Sequence, residues 1–158
     1  MIQYRVTKYN PAFRDERGTY TKDEWISVKQ VGECFGGTVL TREEYERVEK
    51  AYANAALAFL QEAGVATLTV VNLENHPKWP LQLKNGSKLN LADAVEVIRR
   101  LLREEFWCRL QANDAFIHID WDYYMYVGVP HACPAAKAEA ASLGLFVEEY
   151  QSPCENLD

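Results

Sequence analysis

The chain has 158 residues, 48% of them hydrophobic and 25% charged, and a formal net charge of −6. Those values describe one soluble globular domain over residues 1–158, long enough to bury a core. The acidic balance argues against a nucleic-acid or anionic-membrane surface, which needs clustered Lys/Arg, and no stretch approaches the ~18 consecutive apolar residues of a membrane span.

In chain order, Ile2, Tyr4 and Val6 alternate with Gln3, Arg5 and Thr7, the period-2 signature of a strand with one face on the core, ending at Asn10-Pro11. Arg14 to Gly18 reads as a loop or hairpin tip, after which residues 20–28 read as a returning strand, with a short helix as the alternative. The sequence Thr41-Arg42-Glu43-Glu44 is a capping box opening a helix. Its core stripe is Tyr45, Val48, Tyr52, Ala55, Ala56, Phe59 and Leu60, and Gly64 closes it.

Residues 65–73 form a β-branched and apolar run, the pattern of a central strand covered on both faces. Pro77, Pro80 and Asn85-Gly86 then break the pattern into a loop or small hairpin. A second helix is expected from about Asn90, with a stripe of Leu91, Val95, Ile98, Leu102, Phe106 and Leu110. Residues 116–127 read as one long strand after the turn Asn113-Asp114. Pro134 starts a third, Ala-rich helix, Gly144 ends it, and residues 145–150 form a last strand. This order implies an α+β fold, a single mixed sheet of about five strands with three helices packed on it.

The four cysteines, Cys34, Cys108, Cys133 and Cys154, are 74, 25 and 21 residues apart, without the close pairs of zinc or redox motifs, and read as free thiols. The N-terminus lacks a basic region followed by an apolar stretch, so the expected place of action is the cytosol. Neither a G-x-S-x-G elbow nor a phosphate-binding glycine loop is present. No catalytic residue and no cofactor are assigned.

Charge is unevenly distributed. Residues 1–30 carry six Lys/Arg against four Asp/Glu, residues 31–112 ten against eleven, and residues 113–158 only Lys137 against eight acids, so the net charge runs +2, −1, −7. Within that last block Asp120, Asp122, Tyr124 and Tyr126 alternate along the long strand, giving a face of acids and amphipathic rings suited to a basic protein partner. Glu148, with Glu149 and Glu155, would deepen the negative field, and Trp79 is a further aromatic anchor. The competing reading buries Tyr124 and Tyr126 and leaves no patch. His118, Asp120 and Asp122 also share the alternation, an alternative site for a divalent metal in a small metal-assisted hydrolase, or simply a solvated strand face. A subunit of a larger assembly is a third possibility.

The runs YRVTKYNP (residues 4–11), KDEW (22–25), REEFWC (103–108), DYYMYVG (122–128) and GLFVEEY (144–150) resemble those of a group of small uncharacterised bacterial proteins. In size, acidity and lack of a catalytic signature the chain is similar to immunity proteins, which neutralise bacterial toxins. The resemblance implies a cytosolic protein that binds a basic toxin domain and covers its active site. The expected binding residues, Asp120, Asp122, Tyr124, Tyr126, Glu148 and Trp79, come from the charge and strand patterning, and the resemblance itself assigns none.

Overall fold

The computed structural model describes residues 1–76 and 80–156, the side chains of 155 and 156 excepted. In chain order the elements are β1 (Ile2–Thr7), the short pair β2 (Cys34–Phe35) and β3 (Thr38–Val39), then α1 (Arg42–Glu62) and β4 (Thr67–Glu74). They continue with β5 (Lys88–Asn90), α2 (Leu91–Leu102), β6 (Trp107–Gln111), β7 (Phe116–Asp120), β8 (Tyr124–Val129), α3 (Pro134–Ser142) and β9 (Phe146–Glu149). Seven strands form one sheet in the order β5-β4-β6-β7-β8-β1-β9. The α+β class and the three helices agree with the sequence reading. The sheet has seven strands rather than about five, and every pairing is antiparallel rather than mixed.

One sheet face packs on the helices. Tyr4, Val6, Leu68, Val70, Cys108, Leu110, Ile117, Met125 and Val127 point to it, and they share one buried cluster with Phe59 of α1, Ile98 of α2 and Ala136 of α3. All the stripe residues expected for α1 are buried. Thr41 caps α1 by accepting from the Glu44 N–H at 3.1 Å. The Glu44 carboxylate, however, takes Arg47 at 2.6 Å instead of reaching back to the cap. Strand β4 alternates between buried and more exposed positions, so it is covered on one face rather than two.

Two differences from the sequence reading share a cause, residues other than glycine in turn conformations. Helix α2 stops at Leu102, where the stripe runs on to Leu110. Glu104 adopts φ 60°, its N–H donates to Leu101 O (3.0 Å) and the Glu105 N–H donates to Arg100 O (3.2 Å), a Schellman closure usually made by glycine. Gly64 and Gly144 close α1 and α3 in the same way. The chain beyond Glu104 becomes β6, on which Cys108 and Leu110 are buried at period 2. Residues 116–127 likewise are two strands, β7 and β8, reversed at residues 121–123. The returning strand expected at residues 20–28 is absent. An isolated bridge from Tyr20 to Arg14 and a short 3-10 turn at Val28–Gln30 occupy that stretch.

Among the described residues no helix is long and apolar enough to cross a membrane. The four cysteines are free thiols, Cys34 exposed and the others buried.

Candidate interaction site

The β7–β8 reversal decides where the expected site residues lie. Cross-strand pairing aligns Arg109, His118, Tyr126, Arg5 and Glu148 in one row across five strands, on the sheet face away from the helices. That face is closed by polar chain. His118 is 1% exposed, its Nδ1 is 3.0 Å from Ser152 Oγ, and its ring stacks on Phe116 at 4.1 Å. Arg109 donates to Cys154 O at 2.9 Å, and the Ser152 N–H donates to Gln3 Oε1 at 2.7 Å. Residues 152–154 therefore strap across the row.

On this face Glu148 is neutralised rather than displayed. Arg5 holds both its carboxylate oxygens at 3.1 Å, and Arg14 lies 4.0 Å away. Tyr124 stacks on Tyr9 at 5.2 Å and accepts from Arg14 at 2.9 Å, while Arg5 sits over its ring. Tyr126 is buried, and burial pushes its hydroxyl up to about 12. Arginines from the N-terminal segment thus occupy the surface expected to be acidic, and the C-terminal acids do not converge there. The metal reading meets the same geometry. His118 is buried in the row while Asp122 leaves it for the turn, and no group of three potential metal ligands occurs among the described residues. Trp79 lies outside the described residues.

What the reversal displays is its own tip. The Tyr124 N–H closes a β-turn onto Trp121 O, and both central residues have positive φ, Asp122 at 63° and Tyr123 at 66°. Turns of this kind favour Asn and Gly, and a side-chain-bearing residue there costs about 1–2 kcal/mol. Buried hydroxyls hold the strained carbonyls. Tyr9 donates to Asp122 O at 2.5 Å and Tyr52 to Tyr123 O at 3.0 Å. The Tyr123 ring is wedged against Trp25 and Tyr52 at 4.9 and 4.8 Å, and its hydroxyl donates to Tyr45 at 3.1 Å.

The polar chain continues inward. Tyr45 engages Glu49, a carboxylate with 0% exposure that Arg103 holds at 2.6 and 3.1 Å and Arg99 at 2.9 Å. Burial acts to raise the Glu49 carboxyl, but the bonds from Arg103, Tyr45 and Arg99 outweigh it and hold it below the usual carboxylate range. The outcome of this scaffolding is that Trp121 stands 80% exposed, with Asp122 also exposed beside it.

Asp120 and Trp121 also border a cleft of about 510 Å³. Leu101, Phe106, Trp107 and Ile119 form its apolar wall, and Glu74, Glu104 and Lys29 line it with Asp120. The Trp107 indole is fixed by donation to Ile119 O at 2.9 Å. Glu104 accepts from Ser27 at 2.9 Å and faces the Lys29 ammonium at 3.7 Å. Cys154 completes one side, and burial raises its thiol, so the nucleophilic thiolate is disfavoured. On an unbroken strand Trp121 would lie on the face opposite Asp120 and Asp122, and a helix running to Leu110 would carry Glu104. The available signal was length, because twelve residues exceed the usual five or six of a strand and Asp-Trp-Asp sits at the midpoint.

No protein-family model matches the chain, and no curated protein or solved structure does either.

Proposed function

We propose that this chain is a binding protein of immunity type, acting in the cytosol, which docks a basic toxin domain through the turn at residues 121–123 and covers that domain's active site. The observation that carries the reading is Trp121, 80% exposed on a turn strained at Asp122 and Tyr123 and clamped by Tyr9 and Tyr52. A large apolar ring held in solvent by a costly, over-determined backbone is expected at functional positions. Tryptophan is the residue type most enriched at interface anchors. Asp120 and Asp122 flank it and supply the charge that steers a cationic partner. The anchors named are therefore Trp121, Asp120 and Asp122, whereas Tyr124, Tyr126 and Glu148 are taken up by contacts with Arg5, Arg14 and neighbouring rings within the chain.

The test is protection. A toxin domain encoded beside this chain's gene is expressed under an inducible promoter with wild type or with the Trp121→Ala, Asp120→Asn, Asp122→Asn triple variant. Wild type is expected to restore growth and the triple variant to fail at equal abundance. Equal protection by both removes the proposed surface, and neighbouring products that never bind the chain overturn the reading.

A further inference from the structure

The cleft beside Trp121 is apolar in its wall and acidic in its polar groups, and its electrostatics are unfinished. Asp120, Glu74 and Glu104 line it together with one lysine, Lys29, and one histidine, His76. Among the described residues, Glu104 is engaged by Ser27 and Lys29, whereas no hydrogen bond or ion pair engages the carboxylates of Asp120 or Glu74. Lys29 is 78% exposed, a flexible counter-ion at the mouth rather than a fixed part of the wall.

We infer that this cleft receives an arginine side chain from an extended basic segment of the partner, its guanidinium paired with Asp120 and Glu74 and stacked on the Trp121 ring. The inference rests on the binding reading above and adds the chemistry of what is bound. Three carboxylates repel anions, phosphates included. With a net charge of −6, a second copy of the chain is an unfavourable occupant of an acidic cleft. Arginine suits the site better than lysine because its guanidinium is planar, weakly hydrated, able to stack on indole and able to bridge carboxylates with paired N–H donors. The cleft's 510 Å³ lies within the roughly 300–1,000 Å³ of pockets that enclose a small ligand, enough for the side chain with part of its flanking backbone. Lys29 must swing aside, so it acts as a resident competitor.

The probe is a capped hexapeptide, Ser-Arg-Gly-Arg-Gly-Ser, with lysine and citrulline counterparts, titrated into the full-length protein at low salt. The readout is the Trp121 indole N–H resonance, assigned by its loss in Trp121→Phe. The arginine peptide is expected to produce a saturable shift. The citrulline peptide should bind about tenfold more weakly because it retains shape without charge, and the lysine peptide should fall between them. Asp120→Asn with Glu74→Gln should weaken the arginine peptide about tenfold, and Lys29→Gln should tighten it by about twofold or more. Unfolding curves of each variant confirm that the fold is intact.

Absence of a saturable shift, equal binding of the citrulline peptide, or indifference to the double carboxylate variant overturns the arginine assignment. The two proposals fail separately. If the cognate partner is lost in Trp121→Ala while the peptides do not bind, the docking turn stands and the arginine cleft falls. If the arginine peptide binds the cleft while the cognate partner tolerates Trp121→Ala, the cleft stands and the docking turn falls.

Discussion

Tyr52→Phe removes a single oxygen from the support of the displayed turn and should cost far more than its size suggests. Tyr52 is fully buried on α1, and its hydroxyl accepts from the Lys8 N–H at 2.8 Å while donating to Tyr123 O at 3.0 Å. Phenylalanine fills the same space and leaves a buried donor and a buried acceptor without partners. At about 1–3 kcal/mol for each orphaned group, the loss is about 2–6 kcal/mol. At about 2–4 °C per kcal/mol for a chain of this size, the melting temperature should fall by roughly 4–24 °C. The loss should also be local, because the Tyr123 carbonyl it frees belongs to a residue at φ 66° that nothing intrinsic to tyrosine favours. Urea unfolding gives the global figure, and hydrogen exchange under native conditions gives the local one, with amides 121–124 losing protection before those of α1. A destabilisation below about 0.5 kcal/mol, or a global loss with unchanged exchange at 121–124, would refute the argument that this hydroxyl holds the turn.

Three further outcomes follow from the same contacts. Asp122→Gly should stabilise the chain by about 1 kcal/mol, since glycine adopts positive φ freely, while weakening partner binding; a loss of stability in urea would show that no strain is stored there. Glu49→Gln should cost about 2–3 kcal/mol at pH 7, the partly exposed arginines recovering some solvation. Because the folded Glu49 carboxyl lies below its unfolded value, its contribution is complete above the unfolded pKa and disappears as pH falls through the folded one. The wild-type advantage over Glu49→Gln should therefore shrink in acid, and an advantage independent of pH would contradict the pairing. Lys8 is buried beside Glu24 and Trp25, and desolvation brings its ammonium down to about 8 against the opposing pull of Glu24. Between that value and its unfolded pKa the unfolded chain binds more protons at this site, so wild type should gain on Lys8→Met by up to about 3 kcal/mol from pH 7.5 to 10. The buried tyrosines and thiols titrate alike in both proteins, and a constant gap would place Lys8 in water.

Much of the helical layer was legible because its signals are local. Thr41 caps α1, Pro134 opens α3, and Gly64 and Gly144 close their helices, each through a backbone requirement that its residue type advertises. The missed boundaries lie where an unremarkable residue performs a glycine's task. Glu104 closes α2, and the spacing of Leu102, Phe106 and Leu110 fits a helix although the last two stand after it. Asp122 and Tyr123 reverse the chain without an Asn-Gly signal, held by Tyr9 and Tyr52 from distant segments. The site suffered from the same blindness to long-range pairing. Glu148 looked free until Arg5 and Arg14 were brought beside it from the opposite end of the chain. Trp121, which an unbroken strand would set on the face opposite Asp120 and Asp122, is the most exposed large apolar side chain among the described residues.

The most direct test of the docking turn is the calorimetric affinity of the cognate basic domain for wild type and for Trp121→Ala. Truncating a side chain that is 80% exposed should leave the urea midpoint unchanged within error. Affinity should nevertheless fall at least tenfold, about 1.4 kcal/mol or more. Affinity retained within about twofold, with the fold intact, would contradict the assignment of Trp121 as the anchor.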